Sequence, residues 1–441
     1  MKKVLGIRHE DKYAMECRVP ITPSHLKKLI QHQGIKAIVE PSHKRVFPEQ
    51  EFQDAGASVN SDLSEAEVIM GVKEMPISFF EESKTYIFFS HVIKGQTYNM
   101  PMLKIMMEKK CNLIDYEKIT DDEGRRLIFF GRFAGLAGMI NSLWSLGQRW
   151  KVEGYSNPFD ELSQSHKYSS LEKACEAVKL SGERLSKEGL PERKTPIIIG
   201  FTGYGNVSKG AQEIANLLPG EFLNPEELLK IDTAALDPKK VYKVVFKEED
   251  MFIPKEEASF DLQEYYNHPE RYKSVFYKYL PHLSVLMNCM YWATEYPRIA
   301  TLDNLKDLYK SQSPVKLSVI GDITCDPDGS IQCTYKGTPI EEPVFTYNPI
   351  ADKYDDGFHG EGLLIMAVDI LPSELPRESS EAFSKALYSY VDNLLSVDYN
   401  MTFSELPLLA PIKRAMILHK GKLTPDYMYL SKFVNDTCDV N

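Results

Sequence analysis

From the first residue to about position 118, short apolar runs alternate with helical segments. The runs "KVLGI", "IKAIVE", "AEVIMGV", "TYIFFS" and "CNLIDYE" read as buried strands, and "TPSHLKKLIQHQG" as the helix joining the first two. Thr22 stands at the N-cap, Pro23 at the first helical position and Gly34 at the left-handed stop. Strand, helix and strand in repetition predict a parallel sheet with helices on its faces.

The segment "FAGLAGMINSLWSLGQRWKVE" (133–153) is apolar at helical spacing, and its small residues Gly135, Ala137 and Gly138 permit close packing. A polar stretch and a charged helix near 170–187 follow. At 196, "PIIIGFTGYGNVSKGAQEIANLL" restarts an α/β pattern, with strands expected at "VYKVVF" (241–246), "HLSVLMNCMYW" (282–292) and "KLSVIGDITCD" (316–326). After about 365, "IMAVDILPSELPRESSEAFSKALYSYVDNLL" begins as a strand and becomes helical past Pro376. Two such patterns within 441 residues predict two domains, each large enough for its own core.

Composition narrows the function classes. Hydrophobic residues make up 43% and charged residues 26%, ordinary globular values. A net charge of −11 argues against non-specific binding to nucleic acid or an anionic membrane, so neither partner is expected. Cys17, Cys111, Cys175, Cys289, Cys325, Cys333 and Cys438 are scattered, without a CxxC pair or histidines at ligand spacing. Reduced thiols and no metal site are expected. The start "MKKVLGIRHEDKY" offers four apolar residues before Arg8, too few for a signal-peptide core, and no run approaches a membrane span; a cytoplasmic protein is the expectation.

Three features carry candidate chemistry. "IIIGFTGYGNVSKGAQ" is a strand running through a turn into a helix, in which Gly203 permits the turn and Gly205 leaves room for a pyrophosphate at the helix start. Ser208 replaces the third glycine of the common fingerprint, with Gly210 two places on. The strand "VVFKEED" then ends in Lys247, where an NAD site carries an acid; a cation there suits a 2′-phosphate and points to NADP, with NAD as the open alternative.

"GVKEMP" and "FFSH" both end an apolar run with a proton-transfer residue, Lys73 and His91. On neighbouring parallel strands the two would share the carboxyl edge, where open α/β sheets bind ligands. Bringing a lysine's basicity into the neutral range takes roughly 4 kcal/mol, about what one cation ~4 Å away supplies at an effective dielectric of ~20. Arg18, Arg125 and Arg126 are the candidate cations, and equally candidate forks for carboxylates.

In order, "GVKEMP", "FFSH", "GRRLIFFGRFAGLAGM", "FTGYGNVSKGAQEI", "GDITCDPDGSI", "LPSELPRESSEAFS" and "GKLTPDYMYL" resemble the saccharopine dehydrogenase family. Within it the likeness is greatest to the lysine–ketoglutarate reductase half of the animal aminoadipic semialdehyde synthases, from about Val4 to Phe433. The resemblance implies an α/β fold of two Rossmann-like, doubly wound domains of the alanine dehydrogenase and transhydrogenase type, with the active site in the cleft between them. Residues 1–132 with 366–441 would form the substrate domain, and 133–365 the dinucleotide-binding domain. The implied reaction condenses the L-lysine ε-amine with 2-oxoglutarate, and hydride from NADPH reduces the imine to saccharopine. Lys73 and His91 would then be the acid–base pair. Arg18 and Arg126 would bind substrate carboxylates, with Gln96 and Phe130 beside them. Arg125, Gly131, Gly203, Gly205, Asn206, Cys325 and Asp326 would lie against the cofactor, together with the Lys247 read from the end of its own strand. An NAD-dependent saccharopine or alanine-type amino-acid dehydrogenase and a non-catalytic nucleotide-binding homologue stand as alternatives, and oligomeric state and physiological direction stay open.

Overall fold

The computed structural model describes residues 3–190 and 194–436. Two compact units result, Met1–Phe130 with Pro376–Asn441, and Gly131–Leu375. Cys438 lies outside the described residues.

The first unit begins with six parallel strands: β1 (Val4–Ile7), β2 (Lys36–Val39), β3 (Ser58–Val59), β4 (Val68–Met70), β5 (Thr85–Phe88) and β6 (Asn112–Asp115). Helices α1 (Pro23–Gln33), α2 (Glu49–Asp54) and α3 (Met100–Glu108) lie between them in sequence. Every position of β1, β4, β5 and β6 is buried, as a sheet covered on both faces requires. The two-residue alternation divides these strands between two cores. Ile7, Val68, Met70, Ile87 and Ile114 join Leu26 and Leu29 of α1, whereas Val4, Ile69, Tyr86, Phe88 and Leu113 join Met102, Leu103 and Met106 of α3. Gly34 ends α1 at φ +64° as expected, but Thr22 makes no cap bond, its hydroxyl lying against Ser24, His25 and Ser384 instead.

In the second unit a long helix, α4 (Gly131–Val152), is followed by α5 (Leu171–Glu188), β7 (Ile197–Thr202), α6 (Asn206–Ala215), β8 (Gly220–Leu223) and β9 (Val241–Phe246). A two-stranded ribbon of β10 (Phe252–Pro254) and β11 (Tyr272–Ser274) precedes β12 (Val285–Asn288), β13 (Val319–Asp322), β14 (Val344–Asn348), β15 (Lys353–Asp356) and β16 (Leu363–Met366). The sheet order is β15-β14-β16-β13-β12-β7-β9-β8, parallel except at β14 and β15. The expected runs at 282–292 and 316–326 shorten to the four residues each of β12 and β13. Asp322 stops the latter, because its carboxylate accepts from the Thr324 hydroxyl at 2.6 Å and the Cys325 N–H at 3.3 Å, bending the chain out of the ladder.

Close packing of α4 on α6 depends on two glycines. A Cβ at Gly135 would lie 1.9 Å from the Val207 carbonyl oxygen, and one at Gly210 would lie 2.1 Å from that of Arg132. The neighbours are backbone, so only a separation of the helices relieves the overlap. Gly135→Ala is therefore expected to cost about 1–3 kcal/mol, read as a lowered melting temperature; an unchanged transition would mean the helices part freely.

The chain then returns to the first unit through the helix Pro376–Ser396, which contributes Phe383, Leu387, Val391 and Leu394 to its core. β17 (Met416–His419) pairs antiparallel with β6, and β18 (Lys422–Leu423) with β17, giving the order β18-β17-β6-β5-β4-β1-β2-β3. The hydrophobic pattern marks no elements at α2, α3, β3, β8, β10, β11, β14, β15, β17 or β18, most of them short or partly exposed.

Candidate active site

The ladder of the first unit brings four chain segments to one edge. Ile7 pairs with Met70, Met70 with Ile87, and Phe88 with Asp115, so the loops leaving β1, β4, β5 and β6 emerge side by side. Lys73 lies three residues past β4 and His91 three past β5. The expectation that both stand on a shared carboxyl edge holds.

Glu74 joins them. Its Oε1 lies 2.7 Å from His91 Nδ1 and accepts from Lys12 Nζ at 2.5 Å and Asn99 Nδ2 at 3.2 Å. Oε2 is buried with no hydrogen-bond partner among the described residues. Burial alone would raise the Glu74 carboxyl, but the bonds and charges of His91 and Lys12 outweigh it and hold the group down to about 2. His91 takes φ +48°, and its ring is stacked 6.4 Å from that of Phe89. With Nδ1 committed to Glu74, Nε2 is the ring nitrogen left for proton exchange.

Lys73 is half-buried, its ammonium 5.5 Å from the centre of the Tyr13 ring. Its proton affinity is lowered, first by burial and then by Arg18, with Lys12 adding to the effect; Glu16 and Glu74 oppose it. Of the three arginines considered as the neighbouring cation, Arg18 is the one that acts. Its guanidinium is buried, stacked 4.1 Å over Phe130, and bonded through Nε at 2.7 Å and Nη2 at 2.5 Å to the two oxygens of Glu16. Burial raises the Glu16 carboxyl, but Arg18 and Lys73 together lower it below the usual range. Phe130 in turn stacks on Phe383 of the returning helix, 4.5 Å between centroids.

The other expected residues are placed less centrally. Arg125 is exposed and paired with Asp121 at 2.7 Å and Glu123 at 3.0 Å, and Arg126 is paired with Glu117. Gln96 is half-buried and accepts the Lys94 N–H at 3.0 Å. Sequence reading passes over Lys12, Glu16, Glu74 and Asn99. Two of these carry a signal: Glu74 follows Lys73 directly, and Glu16 stands two places before Arg18.

In the second unit β7 ends at Thr202, Gly203 turns at φ +74°, and α6 begins at Asn206. Among the described residues, no atom outside the two adjoining ones lies within 4 Å of where a Cβ at Gly205 would be, and Gly205 stands at the N-cap of α6. The helix start therefore has open space where a dinucleotide phosphate would meet its first N–H groups. Ser208, at the place of the third glycine, is fully buried and accepts from Gln212 at 2.9 Å, while Gly210 serves the contact with α4. Asn288 at the end of β12 accepts from Thr202 and donates to Asp322, Thr324 and Ser330, each within 3.0 Å. That network sets the turn holding Cys325, at φ +48°, and exposed Asp326. Lys247 directly follows β9, neighbour of β7, with its ammonium 3.7 Å from Glu249. Gly131 is the first residue of α4.

Among the described residues no disulfide joins two cysteines, no group of three or more His, Cys, Asp or Glu side chains is placed to hold a metal ion, and no helix is long and apolar enough to cross a membrane.

A family model described as the alanine dehydrogenase/PNT N-terminal domain matches residues 6–137. The chain is 40% identical over 446 residues to alpha-aminoadipic semialdehyde synthase of Arabidopsis thaliana, covering 97% of this chain and 41% of that protein. Identity to the mitochondrial alpha-aminoadipic semialdehyde synthase of Mus musculus is 36% over 444 residues, 98% of this chain and 48% of that one. The chain thus spans less than half the length of these relatives. It is also 27% identical to saccharopine dehydrogenase (NAD(+), L-lysine-forming) of Emericella nidulans, covering 87% and 90% of the two chains. Among solved structures, an L-alanine dehydrogenase superposes with a TM-score of 0.60 at 15% identity, covering 98% and 99% of the chains. A transhydrogenase from Sinorhizobium meliloti follows with 0.51 at 13%, covering 96% and 99%. These two likenesses concern the fold.

Proposed function

We propose that the chain is a lysine–2-oxoglutarate reductase of the saccharopine dehydrogenase family, condensing L-lysine with 2-oxoglutarate and reducing the imine to saccharopine. The observation that carries this reading is the cluster at the carboxyl edge of the first unit, where Lys73 and His91 flank Glu74 beside the buried Arg18–Glu16 pair.

Imine formation needs a neutral amine and a route for protons. A lysine whose proton affinity is lowered by burial and by Arg18 can accept the proton of the substrate's ε-ammonium. The freed nitrogen attacks the keto carbon; the carbinolamine then loses its hydroxyl as water once that oxygen is protonated. His91, oriented by Glu74 through Nδ1, is the group we assign to that proton transfer. Arg18 and Arg126 would hold substrate carboxylates, with Gln96 and Phe130 lining the same place. For Arg18 this means sharing a guanidinium already bound by Glu16 through two nitrogens, and for Arg126 one paired with Glu117.

The nicotinamide cofactor, when bound, supplies the hydride. The open helix start at Gly203, Gly205 and Asn206 suits its pyrophosphate, with the Cys325–Asp326 turn, Arg125 and Gly131 as further contacts in this reading. NADPH is the proposed form, supported by a lysine rather than an acid directly after β9. Lys247→Ala is expected to raise the Michaelis constant for NADPH about 5-fold, as loss of one charge-assisted phosphate contact would, and that for NADH much less. Equal effects on both would remove the assignment. A reducing, cytoplasmic setting is proposed from the odd number and wide scatter of the cysteines; the name of the mouse relative carries the word mitochondrial, so fractionation of native cells is the test.

The decisive assay is NADPH oxidation at neutral pH with lysine plus 2-oxoglutarate, compared with ammonia plus pyruvate and repeated with NADH. Turnover restricted to the first pair supports the proposal. Turnover on ammonia and pyruvate would transfer the chain to alanine-type chemistry, and cofactor binding without turnover would make it a nucleotide-binding homologue.

A further inference from the structure

One buried acid at the same edge has no part in the chemistry above. Glu10, in the loop after β1, is 5% exposed, and its two oxygens accept the N–H groups of Val72 at 2.6 Å and Lys73 at 2.9 Å. Those two donors are where the β4 ladder gives out. The preceding N–H, of Gly71, still bonds the Ile87 carbonyl at 3.1 Å, and the Val72 carbonyl accepts from Phe89 at 3.0 Å. Beyond Gly71 the N–H groups have left the sheet but not the interior, and an unsatisfied buried donor is costly. A carboxylate matches two consecutive N–H groups with one oxygen each, which no hydroxyl or amide side chain can do. The fit is tight: a Cβ at Gly71 would stand 3.3 Å from Glu10 Oε1.

We infer that Glu10 is a positioning residue for Lys73, its carboxylate gripping the backbone at the end of β4 so that the lysine is presented between Arg18, Glu16 and Glu74. The inference rests on the acid–base role proposed for Lys73. Burial, and then Glu16 from the same loop, push the Glu10 carboxyl up to about 7 against the Val72 and Lys73 N–H bonds and Arg8; Arg45 and Tyr116 after β6 are the other charged or titratable groups that face it. Of these, Arg8 directs its guanidinium to Asp11 and the His9 carbonyl, and Arg45 bonds the Glu40 carbonyl. The bonds Glu10 itself makes are to the segment that carries Lys73.

The test compares Glu10→Ala and Glu10→Gln with the parent in the full chain, by pH profiles of kcat with lysine, 2-oxoglutarate and NADPH, and by thermal melting. Glu10→Ala is expected to lower kcat roughly 10- to 100-fold, the scale of a misplaced catalytic group, and to displace the pH limb that Lys73 sets. The Michaelis constant for NADPH should stay within about 2-fold, because both hydrogen bonds that Glu10 makes lie within the first unit. Glu10→Gln, with one acceptor oxygen in place of two, should fall between, and it carries the comparison alone should the alanine variant not fold. Wild-type kcat and pH profile in Glu10→Gln, or a fall in kcat that tracks melting temperature with the limb unmoved, would overturn the inference. Lys73→Met serves as control: if it retains the parent rate, the acid–base assignment itself is lost, whereas an inactive Lys73→Met beside a normal Glu10→Gln removes the positioning role alone.

Discussion

Lys73→Met and His91→Gln are each expected to slow turnover by roughly 100-fold or more, measured as kcat for NADPH oxidation with lysine and 2-oxoglutarate. Methionine keeps the length and apolar stem of lysine while removing the nitrogen that exchanges protons. Glutamine can still meet the Glu74 carboxylate, 2.7 Å from the native ring, but carries no titrating group. Both side chains are half-buried at a loop edge, so neither change should leave a cavity in the cores on the two faces of the sheet. That separates catalysis from stability: melting temperatures should move little while the rates collapse. Near-parent rates in both variants would end the proposed mechanism, however well the fold persisted.

The second large effect concerns acid. Glu74 is held to about 2 in the folded protein against an ordinary value of 4.5, with burial overcome by His91 and Lys12. A carboxylate depressed on folding contributes stability that is complete above about 4.5 and is lost as pH falls through about 2. The difference corresponds to about 3 kcal/mol, an order-of-magnitude figure. Urea unfolding at pH 7 and at pH 3 should show the parent losing part of this contribution. Glu74→Gln, less stable at pH 7 for want of the charge, should lose correspondingly less on acidification. Identical acid slopes in the two proteins would mean that the charge of Glu74 is not what binds this edge together.

Much of this edge was legible from the chain alone. Runs such as "AEVIMGV" and "TYIFFS" are apolar without alternation, which is what a strand covered on both faces must be. Once the runs are parallel neighbours, Lys73 and His91 have to leave the sheet together. The glycine turn was legible for a similar reason, since a left-handed residue followed by a helix start is a local requirement met by Gly203 and Gly205.

The partners were a different matter. The forks of Arg18 and Arg126 invite a carboxylate, and each has one inside the protein: Glu16 two residues away and Glu117 in the loop after β6. Neither pairing follows from periodicity, because residues two apart in a loop share no defined face. Cys325 reads as the tail of a strand, but Asp322 draws the backbone out of the ladder with a side-chain bond.

What the amino-acid order determined by itself was therefore the longer buried strands and helices, the faces they bury, and the kinds of group that crown one edge, since each depends on neighbours within a few residues and on the periods of 2 and 3.6. What tertiary structure alone decided was which charge meets which. Glu10 reaches Val72 and Lys73 because β1 lies beside β4, and Glu74 reaches His91 because β4 lies beside β5. Strand order arises from crossovers that pack helices on both faces, and hydrogen-bond partners some 60 residues apart in sequence are chosen only after that packing is complete.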